Sequence, residues 1–501
     1  MYSRAAVPNS ASIMPQVIAV WAEQMGHKVH YSTYTGFEDL YHELPCDVDI
    51  LFISAFTQGA YLAYSISNLF RMKNVVTVLG GPHARAYAED ARNYFDYTLA
   101  LTDKQLIHDL LQGFSQHPRE GVLLSAKKQP QSLPGVCERW KFIQKNLKKT
   151  RFVHSIPMIG SLGCPYNCVF CIDSEVDYQP LPYDQIYEDL IFLQKQIRPP
   201  GVDWYDPNFG VRFKDYMGII EEAVKPGAIA FAAESTLSLL SEQNLRQLNR
   251  NHFLVMLPGI ESWFDCNNKS KQQNKFGLDK VKSVAEHLNL ILEYIPYVQT
   301  NFIFGLDTDS GSLPFELTKM FIDLVPGVYP NFSLLTAYGN SSPLSRQYQS
   351  ENRLLDMPFS FLDGYSASNV KFKNYSNREF YDHFIDLIRY AHSPKMIWRR
   401  LKENKHRIPR RVNLFRSIFS DKGRSLAKKY RNVRQRLESD REFETFYSGE
   451  SIVPPSFYSN SVRTDLGPFY HYLPSKVMDY FERGDSQPNP RLSNFRGAEA
   501  P

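Results

Sequence analysis

Between residue 151 and about residue 345, short apolar runs rich in β-branched and aromatic residues alternate with segments of helical period, and this alternation restricts the folds open to the chain. In order they read "FVHSIPMIGSLG", "YDQIYEDLIFLQKQI", "GVDWYDPNFG", "KDYMGIIEEAV", "AIAFAAEST", "SEQNLRQLNRN", "FLVMLPGIES", "LDKVKSVAEHLNL" and "YVQTNFIFGL". Strands joined through helices pair in parallel, because each helix carries the chain back to the edge where the previous strand began. A repeated unit of this kind predicts a closed or partly closed parallel barrel.

The first 125 residues show the same alternation on a smaller scale. "SIMPQVIAVWAEQMG" has helical spacing, "HKVHYSTY" is strand-like, "DVDILFISAF" and "NVVTVLGG" are buried strands, and "AYLAYSISNLFRMK" is a helix between them. The expected fold class is α/β, opening with a doubly wound sheet of flavodoxin or Rossmann type. Ligands of such sheets sit beyond the carboxyl ends of the strands, which marks Ser54, Gly80 and Gly81 as a candidate binding edge. Residues 126–150 have weak periodicity and many lysines and read as a connector, 151–356 as the barrel, 357–480 as a helical basic cap, and 481–501 as a disordered tail.

Within the barrel's first loop, "GSLGCPYNCVFC" places Cys164, Cys168 and Cys171 at Cys-x3-Cys-x2-Cys spacing. Six cysteines in 501 residues are too few for a disulfide scaffold, and three of them lie within eight positions. Such a cluster points to metal or catalysis. Structural zinc usually closes with a fourth Cys or His, and none follows nearby, although the residues alone leave a zinc site open. Three thiolates on a four-iron cluster would instead leave one iron open for chemistry.

The Cys-x3-Cys-x-aromatic-Cys pattern, with Phe170 in the aromatic place, resembles the signature of the radical S-adenosylmethionine enzymes. "WYDPNFG" (204–210), "FAAESTLSLLSEQNLRQLNRN", "PGIES" (258–262) and "FIFGLDTDS" resemble that family's second to fifth barrel strands. "YGNSSPLSRQYQSENRLL" (338–355) resembles the segment that leaves the barrel. The resemblance covers about 150–356. It implies that Cys164, Cys168 and Cys171 hold a 4Fe-4S cluster whose open iron chelates S-adenosylmethionine, and that one electron then yields a 5′-deoxyadenosyl radical. It places Phe170, Asp206, Asn208, Glu234, Ser235, Gly259, Ile260 and Glu261 around the cofactor, with Asp206 and Asn208 facing the barrel mouth. For Glu234 and Glu261 the plainer reading, a strand-end carboxylate bonded within the barrel, stands beside this one. An electron donor such as flavodoxin or ferredoxin is also implied.

The N-terminal stretch resembles the cobalamin-binding domain that precedes the barrel in one branch of that family, with Gly80 and Gly81 allowing close approach of the cofactor. Asp-x-His-x-x-Gly is absent, so none of His27, His30, His42, His83 and His108 stands in the context that ligates cobalt elsewhere. The family's acidic "GEGE" is replaced by "LALTDKQ", and the first strand, "MYSRAAVPN", is short. The function this implies is methyl transfer or radical rearrangement, cobalamin-dependent, on a small metabolite, lipid or tetrapyrrole-like substrate. The alternatives are the same barrel without cobalamin and, in a different class, a non-catalytic zinc protein.

No run approaches the roughly 18 to 20 apolar residues of a membrane-spanning helix, and the N-terminus lacks a signal-peptide core, so the cytoplasm is the expected compartment. Charge is uneven. Residues 395–436 hold 16 Lys and Arg against Glu403 and Asp421, a net of +14 that leaves the rest of the chain at −10. Nothing there matches a nucleic-acid module. Interleaved Trp398, Phe415, Phe419 and Tyr430 fit an amphipathic helix, docked either by its aromatic side on the barrel or peripherally on an anionic membrane surface.

Overall fold

The computed structural model describes residues 12–113, 117–118, 120–149, 154–264 and 276–482. The expected first strand and all but the first two residues of the expected disordered tail lie outside these ranges. In the N-terminal domain β1 (Ile50–Ser54), β2 (Val76–Gly80), β3 (Tyr97–Leu99) and β4 (Val122–Leu124) form a parallel sheet in that order. The pleat sends Val78 into a cluster with α1 (Ile13–Gln24) and α3 (Lys104–Gly113). It sends its neighbour Leu79 into the opposite cluster, with Ala60 and Tyr64 of α2 (Ala60–Arg71). Both faces are therefore covered by helices, as the doubly wound reading expects.

Two local expectations are corrected. "HKVHYSTY" forms no strand. Its side chains are taken up by a helix instead: Tyr31 packs on Phe142 at 5.0 Å with the rings tilted by 48°, and Thr33 Oγ1 donates to Asn146 Oδ1 at 2.9 Å. That helix, α4 (Val136–Lys149), occupies most of the expected connector. Its inward positions are Val136, Arg139, Phe142, Ile143 and Asn146, a helical period in which two members are polar, which is why the apolar pattern looked weak. Buried Arg139 donates to the Pro134 carbonyl at 2.9 Å and to Gln16 Oε1 at 3.0 Å, and the Val136 amide donates to Asp189 Oδ1 at 2.7 Å on the first barrel helix, α5 (Tyr183–Gln194). The connector thus fastens the two domains together.

The barrel strands are β5 (Ser155–Met158), β8 (Gly201–Trp204), β9 (Phe231–Ala233), β10 (Phe253–Met256), β12 (Tyr297–Phe304) and β13 (Tyr329–Leu334), paired in parallel in that order. A short extension after Pro258, β11 (Gly259–Glu261), also pairs with β12. Among the described residues β5 and β13 do not pair, so the barrel is partial and open. Its outer helices bury one stripe each; α8 (Gly277–Tyr294), for instance, buries Val281, Val284, Ala285, Leu288 and Ile291. Between β5 and α5, β6 (Ser161–Leu162) and β7 (Gln179–Pro180) make a small antiparallel pair.

The chain leaving the barrel returns to the first domain. Gly339 (φ +50°) lies so close to Ala86 that a Cβ would sit 2.0 Å from its carbonyl oxygen. Buried Phe359 packs on Tyr87 (4.7 Å), His83 (4.9 Å) and Tyr61 (5.4 Å), and its amide donates to Tyr61 Oη at 3.2 Å. The C-terminal region is helical, as expected, and it also covers more than the barrel: Phe469 joins Leu40, Ile66, Phe70 and Val75 of the N-terminal domain in one cluster.

Where β12 ends, Gly305 turns at φ +96° and the buried Asp309 carboxylate accepts the amides of Gly305 (2.9 Å) and Leu306 (3.2 Å). Burial raises its pKa from 3.8 to about 7 against those two bonds. A group that holds its proton more tightly when folded contributes stability below its unfolded value and loses it as pH rises through the folded one. Denaturant titrations should therefore show stability declining between pH 3.8 and about 7, and Asp309→Asn should remove this part of the slope. An identical slope in the variant would contradict the burial of an ionisable Asp309.

Candidate active site

The three cysteines lie on one loop, residues 163–178, which leaves the carboxyl end of β5 and is closed at its base by the β6–β7 pair. Parallel barrels carry their chemistry at this edge. Gly163 begins the loop at φ +68°, and a Cβ there would meet the Asp177 carbonyl oxygen at 2.4 Å. Cys168 is buried while Cys164 and Cys171 are half-buried. The Cys171 amide donates to the Cys168 carbonyl at 2.9 Å, and the Asp173 amide to Cys171 Sγ at 3.4 Å. An amide aimed at sulfur stabilises negative charge there and so favours the thiolate that metals require.

Four contacts hold the loop from outside. Arg85 of the N-terminal domain pairs with Asp173 at 3.2 Å, and Gln129 Nε2 donates to the Asp177 carbonyl at 2.9 Å. From α10 (Pro343–Ser350), Arg346 makes a forked pair with Glu175, and the Leu344 amide donates to the Val169 carbonyl at 2.9 Å. A fifth hold is internal. Buried Asp206 accepts from the Gly160 amide (2.6 Å), Ser161 Oγ (2.6 Å), Trp204 Nε1 (2.9 Å) and the Tyr216 hydroxyl. Burial pushes its pKa up, opposed by the bonds from Ser161, Tyr216 and Gly160. Asp206, expected at the mouth beside the cofactor, is thus engaged by four donors within the barrel. It is 2% exposed with its oxygens engaged, and it positions the loop.

Asn208 is placed differently. Its Oδ1 accepts from Ser235 Oγ and the Thr236 amide, both at 3.3 Å, whereas its Nδ2 is buried without a hydrogen-bond partner. Ser235 orients Asn208, and Gly210 packs where a Cβ would meet Ser235 Oγ at 2.7 Å. Glu234 is exposed at the end of β9. Glu261 has φ +67°, a conformation that costs an L-residue of its kind about 1–3 kcal/mol and gathers at functional sites. Its carboxylate folds over Gly259, where a Cβ would stand 2.1 Å from Oε1. The Ile260 side chain is buried in the core, so only its backbone is left to meet a ligand. Phe170 is half-buried on the cysteine loop.

In the N-terminal domain the two glycines separate. A Cβ on Gly81 (φ +89°) would meet Ser54 Oγ at 2.7 Å and Ala55 at 3.2 Å, so the close approach there is made by the chain itself. A Cβ on Gly80 meets nothing within 4 Å, and Ser54 beside it on β1 is exposed. His83 is buried with its ring nitrogens at Tyr64 Oη (2.6 Å) and Thr57 Oγ1 (3.4 Å), which makes it a core residue. Among the described residues no three His, Cys, Asp or Glu side chains gather closely enough for a single metal ion.

The sequence reading missed the residues that hold the site: Gly160, Ser161, Tyr216, Arg85, Gln129 and Arg346. Gly160 had a signal, since "GSLG" brackets the loop entry with two glycines, and a Cβ on Gly160 would clash with Tyr216 Oη at 2.5 Å. Ser161 lies in the same short stretch, whereas Tyr216, Arg85, Gln129 and Arg346 come from segments distant in sequence.

No family model matches the chain. It is 22% identical over 362 residues to the bacteriochlorophyllide d C-12(1)-methyltransferase of Chlorobaculum tepidum, covering 71% of this chain and 77% of that protein. It is 24% identical over 309 residues to the C-8(2)-methyltransferase of the same organism, covering 58% and 66%. Among solved structures it superposes on the radical S-adenosylmethionine methyltransferase TsrM from Kitasatospora setae, determined with cobalamin and a 4Fe-4S cluster bound. The TM-score is 0.55 at 13% identity, over 70% of this chain and 76% of that one. With an open, helix-covered parallel sheet leading into a partial barrel whose first loop carries three cysteines, the chain has the fold of the cobalamin-binding radical S-adenosylmethionine enzymes.

Proposed function

We propose that the protein is a cobalamin-dependent radical S-adenosylmethionine methyltransferase acting on a carbon of a small, tetrapyrrole-like molecule. The observation that carries this reading is the clamped three-cysteine loop at the carboxyl edge of the first barrel strand. The donor set fits a site-differentiated iron–sulfur cluster: three thiols on one loop and an amide hydrogen bond to one sulfur. The buried, unsatisfied Nδ2 of Asn208 fits a bound S-adenosylmethionine, because a buried donor left without an acceptor costs about 1–3 kcal/mol until a ligand supplies one. The open space over Gly80 fits a large planar ligand on the N-terminal sheet edge. When bound, the cluster supplies the electron that cleaves S-adenosylmethionine, and cobalamin carries the methyl group.

This chain's residues bind and orient. Cys164, Cys168 and Cys171 hold the cluster, and Asp206 fixes the angle at which their loop leaves the barrel. Asn208, Ser235, Glu234 and Glu261 line the cofactor mouth, the β11 backbone at Gly259 and Ile260 offers polar groups beside it, and Phe170 lies against the cluster from the loop. Ser54 and Gly80 receive the corrinoid, while Gly81 closes β2 against β1. A reduced flavodoxin or ferredoxin supplies electrons. Methyl transfer is favoured over rearrangement because both bacteriochlorophyllide relatives carry methyltransferase names, and their substrates give the tetrapyrrole-like class.

Four variants test the assignment. Cys168→Ala should abolish 5′-deoxyadenosine formation while the N-terminal domain stays folded; full cleavage activity would refute the ligand set. Asn208→Ala should weaken S-adenosylmethionine binding by about tenfold, the equivalent of one hydrogen bond, with iron content unchanged; unaltered affinity would place the cofactor elsewhere. Gly80→Val should leave the melting temperature nearly unchanged and lower hydroxocobalamin binding. Gly81→Ala should destabilise the fold by about 1–3 kcal/mol, because φ +89° and the Ser54 contact both oppose a side chain. A Gly80→Val variant with full cobalamin uptake would remove the corrinoid from this edge.

A further inference from the structure

The helix α13 (Arg407–Phe419) is inverted relative to an ordinary surface helix. Apart from Pro409, its inward face is polar. Asn413 and Ser417 are buried, Arg400 of the preceding helix α12 (Pro394–Glu403) donates to Ser417 Oγ at 3.2 Å, and Arg416 donates to Tyr297 Oη and to Gln299 Oε1 (2.6 Å). Arg416 also lies 4.2 Å over the Tyr329 ring. These bonds to the base of β12 and β13 fix the helix about its own axis. They prevent it from rolling its other side inward.

The other side is apolar and faces water. Ile408 is 73% exposed, Val412 38%, Phe415 42% and Phe419 62%. Their spacing of four, three and four residues places them in one stripe along the helix. On α12, which packs against α13, Trp398 is 68% exposed. One edge of the stripe is bordered by exposed Arg407 and Arg411, with Lys402 and Lys405 just before the helix, and Glu403 is the one acidic residue between 395 and 420; Arg410 lies on the far side of the helix and donates to the Asn404 carbonyl. Tyr430 of α14 (Leu426–Ser439), grouped with these aromatics by sequence, is instead buried against Tyr381 and Phe384.

We infer that α13, with Trp398, is a docking surface for an anionic lipid membrane, on which the helix lies in the plane of the interface. An apolar stripe bordered by arginines is what such an interface receives: the apolar side chains enter the acyl boundary and the cations meet lipid phosphates. Charge decides against the other occupants. A second copy of this chain would set Arg407 and Arg411 against cations of its own kind. A nucleic acid would engage the arginines and leave Ile408 and Phe419 in water. The inference is independent of the cofactor assignment, because its residues touch neither the cysteine loop nor the Gly80 edge.

The test is co-sedimentation of the full chain with vesicles of phosphatidylcholine alone or mixed with phosphatidylglycerol, at low and high salt. The wild type should bind the mixed vesicles, bind phosphatidylcholine alone far more weakly, and lose binding as salt rises. The double variant Ile408→Ser/Phe419→Ser should lower binding at least tenfold with an unchanged circular dichroism spectrum and melting temperature, since both side chains are exposed. Replacing Arg407 and Arg411 by Gln should lower it by roughly 25-fold, about fivefold for each cation. Failure of the wild type to bind mixed vesicles would overturn the inference, as would full binding by the apolar variant. So would a wild-type dimer in solution that the apolar variant converts to monomer, which would assign the stripe to a second copy.

Discussion

A single buried carboxylate sets the geometry on which the candidate site depends. Asp206 gathers hydrogen bonds from the exit of β5, the end of β8 and Tyr216 of the following helix. An ionised group in that position would be costly if it were not bonded, and its partners would each be left as buried donors if it were removed. Gly160 makes the arrangement possible by leaving room for Tyr216. The result is a bonded anchor directly before the cysteine loop, from which the three thiols project.

The second constraint is the union of the two domains. The amino end of α4 is bonded to the first barrel helix, Phe359 is inserted among Tyr61, His83 and Tyr87, and Arg85 reaches across to Asp173. Arg85 follows the Gly80 edge by five residues and Asp173 follows Cys171 by two. One ion pair therefore ties the proposed corrinoid edge to the proposed cluster loop. The contact joins the two domains beside the two edges to which the proposed function assigns its cofactors.

Most of the barrel was legible because its strands and helices follow their own periods, and the cysteine loop was legible because its spacing is local. The failures have physical causes. Helix α4 was hidden because Arg139 and Asn146 occupy inward positions and satisfy their polar groups on Gln16, Pro134, Thr33 and Tyr31. The strand expected at "HKVHYSTY" has the right alternation, yet its side chains pack on that same helix and leave the backbone unpaired in any sheet. The bonding of Asp206 was not legible, because a sequence shows a carboxylate at a strand end and conceals whether four donors already surround it. In α13 the aromatic residues were visible, but their outward direction followed from the bonds of Arg400 and Arg416, which no periodicity reveals.

The account stands or falls on what the cysteine loop holds and what that group binds. The most direct measurement is elemental analysis with electron paramagnetic resonance of the anaerobically reconstituted, reduced protein, before and after addition of S-adenosylmethionine. The account predicts about four irons per chain and a cluster signal that shifts when S-adenosylmethionine is added. One zinc per chain, or a cluster whose signal ignores S-adenosylmethionine, would contradict it.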